Sequence, residues 1–364
     1  MYALLLAAAL LSSPASPATA PTLPPVLSTL SPAPPASVVA VPPELRQRLH
    51  DEVLSTPAGQ RQRLEQLLHF MLDPDGLGIV YDENATNSIA QTYATRRANC
   101  LSFTLLFVAI AREAGFNAQA QEIRNTLAWH QQEGTIYRNN HVNAGVLVGG
   151  RNLSVDISAD RIITGESPVA IDEKRLLAHY YNNLAMEHLG SGNIAAGLQL
   201  MDAALASDPR YAPLWSNAGV LHIRNDDLIA AGRSYLKALE LDPEEDGALF
   251  NMMSLAHRQG DARREAEFRR RLERVEQKDP LHHFMVAMDY ERSGNHAKAI
   301  AHYRRAIRLY PGEHRFYSAL AQVYLKAGDP KHAAKALLRA QALTQGATRA
   351  AYMTRLRELK GPSN

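Results

Sequence analysis

The sequence predicts an α+β module followed by an all-α repeat solenoid. Between Glu44 and about Asp172, amphipathic helices give way to alternating strands, and beyond that point turn signals recur every 34 residues. The length of 364 residues, more than a single compact domain usually holds, agrees with two such units. Apolar residues make up 46% and charged residues 21%, an ordinary globular composition. A net charge of +2 creates no field that would draw the chain to nucleic acid or anionic lipid. The single cysteine, Cys100, excludes an intrachain disulfide and any cysteine-based zinc or iron–sulfur cluster. No glycine-rich phosphate loop, dinucleotide fingerprint or His-Glu-x-x-His pattern occurs, so no cofactor is implied.

No charged side chain precedes Glu44. Leu4 to Leu11 has the length of a signal-peptide core, and Ala18-Thr19-Ala20 is an acceptable cleavage triplet, so residues 1–20 are expected to direct export to the periplasm or beyond. Residues 21–43 read as an extended spacer, because ten of the twenty prolines fall between Pro14 and Pro43. No later stretch is long and apolar enough to span a membrane.

In the module, residues 44–172, Glu44 to Leu54 and Pro57 to Leu72 read as helices, the second capped by Thr56-Pro57, and Thr86 to Thr95 as a third. Leu101 to Ala111 is apolar nearly all round, the mark of a helix buried on most sides. Asn99 is a sound N-cap and Gly115 suits the left-handed position after the last turn, so Cys100 falls in the first helical turn. Free N–H groups, the helix dipole and the neighbouring Arg96 and Arg97 favour a thiolate there. A cysteine nucleophile needs a base, and the base an orienting group. His141 to Val148 and Leu153 to Ser158 read as paired strands joined at Gly149-Gly150. With an even-length turn, ladder partners add to an odd total, as His141 and Asp156 do, which places both on one face. His130 and Asp160 are rivals for these roles, and Gln91 or Tyr93 are candidates to help an oxyanion beside the Cys100 N–H.

The run Arg-Ala-Asn-Cys-Leu-Ser-Phe-Thr-Leu-Leu-Phe-Val-Ala-Ile-Ala-Arg-Glu-Ala-Gly, with His141 and Asp156 downstream, resembles the bacterial transglutaminase-like core over roughly residues 80 to 160. The resemblance implies a papain-like α+β fold with Cys100 as nucleophile, His141 as base and acid, and Asp156 as orienter. Ala98 stands where many members have glycine, and Val142 and Asn143 where many have an aromatic.

In the second half, turns centred on Gly192, Asp226, Gly260, Gly294 and Gly328 are evenly spaced, with prolines at Pro209, Pro243 and Pro311. Small residues (Gly219, Ala287 and Ala321; Ala204, Ala238, Ala306 and Ala340) mark close helix approaches, and Tyr181, Trp215 and Tyr317 act as knobs. This resembles the tetratricopeptide repeat. Repeats are expected near 178–211, 212–245, 246–279, 280–313 and 314–347, within a 173–347 array, and a capping helix and tail over 348–364. The third is degenerate, with Glu265 and Leu272 at small-residue positions. Such arrays form a concave groove for a protein or peptide partner, which Asn182, Asn183, Asn217 and Asn251 are candidates to line. The arginines from Arg263 to Arg274 alternate with acids and read as a solvated face; His282-His283 and Met252-Met253 read as structural.

The expected function is acyl transfer by an exported Cys-His-Asp enzyme, of protease or amidase type rather than crosslinking, whose repeats bind a protein partner or substrate. The alternative is an inactive module in an adaptor that works through its repeats alone.

Overall fold

The computed structural model describes residues 32–129, 136–158 and 162–344, together with Tyr352, Met353 and Leu356. The signal segment, the spacer up to residue 31, the rivals His130 and Asp160, and most of the expected capping helix and tail lie outside these residues.

Packing begins before Glu44. A short helix α1 (Pro35–Val38) leads to α2 (Pro43–Leu49), which runs into a π-helical turn at His50–Leu54. Val38, Leu45 and Leu49 are fully buried, and Tyr181 donates its hydroxyl to the Ala33 carbonyl at 2.6 Å, so residues 33–43 are held against the fold instead of spacing it. Helix α3 (Gln60–Leu72) starts behind Gly59, later than Thr56-Pro57 suggested. The reason is Arg63, whose guanidinium takes the Val53 and Thr56 carbonyls and ties the loop down before the helix can begin.

Strand β1 (Val80–Tyr81) pairs in parallel with β2 (Arg97–Ala98) around α4 (Ile89–Thr95), and β2 delivers the chain to α5 (Cys100–Glu113). Ten of the fourteen residues of α5 are buried, as its all-round apolar sequence requires. Five antiparallel strands follow: β3 (Asn117–Trp129), β4 (Ile136–Val148), β5 (Arg151–Val155), β6 (Ile162–Thr164) and β7 (Val169–Ile171). The sheet order is β5-β4-β3-β6, and β7 also pairs with β3. Helix α5 packs on β3 and β4 through Ala118, Ala120, Val142, Ala144 and Val146.

Five helix pairs complete the chain: α6 (Glu173–Gly190) with α7 (Ile194–Ser207), α8 (Ala212–Arg224) with α9 (Leu228–Leu241), α10 (Asp246–Arg258) with α11 (Ala262–Glu276), α12 (Pro280–Arg292) with α13 (His296–Leu309), and α14 (His314–Lys326) with α15 (Pro330–Ala342). Each pair turns on a residue in the left-handed region: Gly192, Asp226, Gly260, Gly294 and Gly328, with φ between 58° and 80°. The fully buried Ala204, Ala238, Ala306 and Ala340 let paired helices approach closely. In the degenerate third pair, α11 buries a single side chain, Phe268, and its arginines lie on a solvated face where Arg269 pairs with Glu265. Met252 is buried in the core, and His283 is held between Gln277 and His302.

One hydrophobic core runs without interruption from Val38 through α5 to Leu221 of α8. Farther along, Ile163 of β6 joins the core of α12 to α15, and Thr164 donates its N–H and hydroxyl to Glu313. The sheet therefore lies against first helices at both ends of the array. Among the described residues no helix is long and apolar enough to cross a membrane.

Among the glycines described within helices, the closest approach is at Gly219, where an added Cβ would sit 2.3 Å from Cε1 of Tyr235. Gly to Ala on an open helix stabilises by up to about 1 kcal/mol. Here the sign reverses: Gly219→Ala is expected to cost about 1–3 kcal/mol through overpacking, read as a lower urea midpoint at unchanged slope.

Candidate functional site

Cys100 opens α5, and its position is fixed by the loop before it. The Asn99 side chain accepts the Ser102 N–H at 2.9 Å and donates to Thr86 Oγ1 at 2.8 Å, while Ser102 Oγ donates to the Ala85 carbonyl. Thr86 in turn donates to Glu187 of α6, so the cap that presents the cysteine is anchored on the first helix of the array. Cys100 is half-buried.

The turn at Gly149-Gly150 has two residues, both at positive φ, and it sets a register that pairs Val148 with Arg151 and Ala144 with Val155. Continued by one residue, that register puts Asp156 opposite Asn143 and diagonal to His141, on one face. Asp156 Oδ2 lies 2.6 Å from His141 Nε2, and its Oδ1 accepts both the N–H and the hydroxyl of Ser158. With Nε2 committed to the acid, Nδ1 is the ring atom left for the Cys100 sulfur, which is within hydrogen-bonding reach of His141. The imidazole is only 2% exposed. Burial alone would lower its pKa; the hydrogen bond to Asp156 and then that to Cys100 outweigh burial and raise it to about 10. Burial pushes Asp156 up, but His141 and Ser158 bring it below the usual carboxylate range.

The cysteine faces a cleft of about 70 Å³ lined by Leu101 and Val142 of the module and by His179, Asn182, Asn217 and Tyr211 from the array side. Asn183 lines it too, so three of the four asparagines expected in the repeat groove stand beside Cys100; Asn251 does not. Asn217 donates to Asn182 Oδ1 at 2.8 Å, which orders this wall. Gln91 and Tyr93 do not line the cleft. Gln91 closes a capping box with Ser88 at the start of α4, which takes its side chain out of any oxyanion role. Tyr93 packs against the core, close to Arg48.

Behind the cleft sits Glu122 of β3, 1% exposed. It receives Arg124 at 3.0 Å, Arg175 at 3.1 Å and His179 Nε2 at 3.0 Å. Burial alone would raise its pKa, but the His179 hydrogen bond and the charges of His179 and Arg175 hold it at about 2. Arg175 also reaches Asp208 at 2.6 Å and lies 3.7 Å above the Tyr211 ring. Arg97, expected beside the sulfur, is instead paired with Asp82. Among the described residues no group of three or more metal-ligating side chains converges.

The tetratricopeptide repeat family matches residues 182–246 and 284–348. The second half of the chain carries tetratricopeptide repeats. The family match stops short of Cys100, His141 and Asp156. Superkiller protein 3 of Schizosaccharomyces pombe is 26% identical over 148 residues, which are 39% of this chain and 11% of that protein. The chain thus spans about a tenth of the length of that curated relative. Solved structures are also similar to this chain, and three of them follow. MamA of Desulfovibrio magneticus is 17% identical over 46% of this chain and 94% of its own, with a TM-score of 0.26. YrrB, described as a TPR protein with an unusual peptide-binding site, is 17% identical over 49% and 92%, with a TM-score of 0.26. PilF of Pseudomonas aeruginosa is 16% identical over 53% and 96%, with a TM-score of 0.28.

Sequence reasoning overlooked His179, Glu122 and Tyr211. The available signal was spacing, since His179, Asn182 and Asn183 stand at i, i+3 and i+4 on one face of α6. Because Glu122 is held at about 2 from an ordinary 4.5, its share of stability is complete above that ordinary value and is lost as pH falls through about 2. Acid titration of a Glu122→Gln variant is expected to show a flatter loss of stability than wild type across this window, measured as urea midpoint against pH.

Proposed function

We propose that this chain is a protein- or peptide-binding repeat protein whose N-terminal module, transglutaminase-like in kind, carries out acyl transfer through Cys100. The observation that carries the reading is an imidazole gripped at Nε2 by Asp156 at 2.6 Å and within reach of a sulfur that opens a buried helix onto a cleft. In the reaction we assign, the Cys100 thiolate attacks an amide or peptide carbonyl. A carbon–sulfur bond forms, the carbon–nitrogen bond breaks, and His141 gives its Nδ1 proton to the departing amine. Asp156 keeps the ring oriented and stabilises its cationic form. Water then resolves the thioester. Hydrolysis is favoured over crosslinking because the cleft lining contains no carboxylate to select a cationic amine. The tetratricopeptide array supports recruitment of a protein substrate or partner. Export through residues 1–20 belongs to the same proposal.

A second reading, an adaptor with an inactive module, is favoured by the family match, which reaches the repeats alone. A short pulse of iodoacetamide at neutral pH separates the two. The enzyme reading expects Cys100 in the native protein to be alkylated faster than in the urea-unfolded chain, and the advantage to disappear in His141→Ala. Equal rates in the native wild type and the variant would leave the adaptor.

A further inference from the structure

The cleft holds a second imidazole with its own carboxylate, and it comes from the repeat array. His179 lies on α6 and lines the cleft together with Cys100. Its Nε2 is 3.0 Å from Glu122 Oε2, and both side chains are buried. Its ring is held edge-on against Tyr211 at 5.2 Å between centroids. Glu122 accepts but cannot donate while ionised, so in the neutral ring the Nε2 atom carries the hydrogen and Nδ1 keeps its lone pair. The hydrogen bond that holds the ring is made at Nε2. Cys100 and His179 line the same small cleft, so a group bound beside the sulfur lies in the cleft that His179 also lines. His141 is not among the residues that line this cleft, and its Nε2 is held by Asp156.

We propose that His179, oriented by Glu122, is a second catalytic residue: the base for the acyl acceptor that resolves the Cys100 thioester. This rests on the acyl-transfer reading and extends it. In the step, the oxygen of water attacks the thioester carbonyl carbon and a carbon–oxygen bond forms. The carbon–sulfur bond breaks, and its electron pair leaves on Sγ as the Cys100 thiolate. The water proton passes to His179 Nδ1 and then to solvent. The two half-reactions thus use different imidazoles, His141 for the leaving amine and His179 for the incoming water, and the repeat array supplies part of the chemistry as well as the recognition.

Pre-steady-state hydrolysis of p-nitrophenyl acetate by the full chain tests this. Wild type is expected to release a burst of nitrophenolate stoichiometric with Cys100, and His141→Ala to lose it. His179→Gln should keep the burst while the following turnover slows on the order of 100-fold, the usual reach of a general base, with the acetyl-enzyme accumulating by mass spectrometry. Free imidazole should restore turnover in His179→Ala, which a merely structural role would not allow. Unchanged deacylation in both variants overturns the role of His179 while leaving the Cys100 reading intact, and so does slowed turnover that imidazole fails to restore. A wild-type protein with no burst overturns the acyl-transfer reading and this inference with it.

Discussion

A single buried carboxylate governs how the two halves of this chain meet. Glu122 stands on the strand paired with that of His141, with almost no water around it, and a buried acid of this kind is tolerable only when surrounded by donors. Arg175 and His179 of α6 supply two of them and Arg124 the third. The same contacts fix the first helix of the repeats against the sheet and set the wall of the Cys100 cleft. A β-bulge in β3 between Ile123 and Thr126, next to the pairing of Ile123 with His141, bends this strand where the two halves join.

From that junction the architecture differs from a module with a tethered array. Helix α6 shares its core with α5, its Glu187 accepts from the loop that caps Cys100, and its His179 and Asn182 face the cleft. The far end of the array is tied as well, since Glu313 accepts twice from Thr164 and Ile163 enters the last core. The first helices, whose faces line the binding groove in a free-standing solenoid, here meet the chain's own sheet at these points. A partner that engages the array does so beside or around these contacts.

The period of the repeats was legible because it is imposed by turn geometry: five positions of left-handed backbone, four filled by glycine and one by Asp226. The approach of His141 to Asp156 was legible because a two-residue turn fixes strand parity. Gln91, a candidate for an oxyanion role by its closeness to Cys100 in sequence, is claimed by the capping box that Ser88 three residues earlier spells. The burial of Val38, the late start of α3 and the contribution of the array to the cleft were not legible. They depend on partners far apart in the chain, such as Tyr181 with Ala33 or His179 with Glu122, and local periodicity carries no information about those.

The central claim is that Cys100, His141 and Asp156 form one electrostatic unit inside the fold. Its most direct test is the pH titration of the His141 ring nitrogens by NMR. The account predicts a midpoint far above the ordinary 6.5, towards about 10, falling when Asp156 is changed to Asn. A midpoint at or below 6.5 in the wild-type protein, unmoved by that substitution, would contradict it.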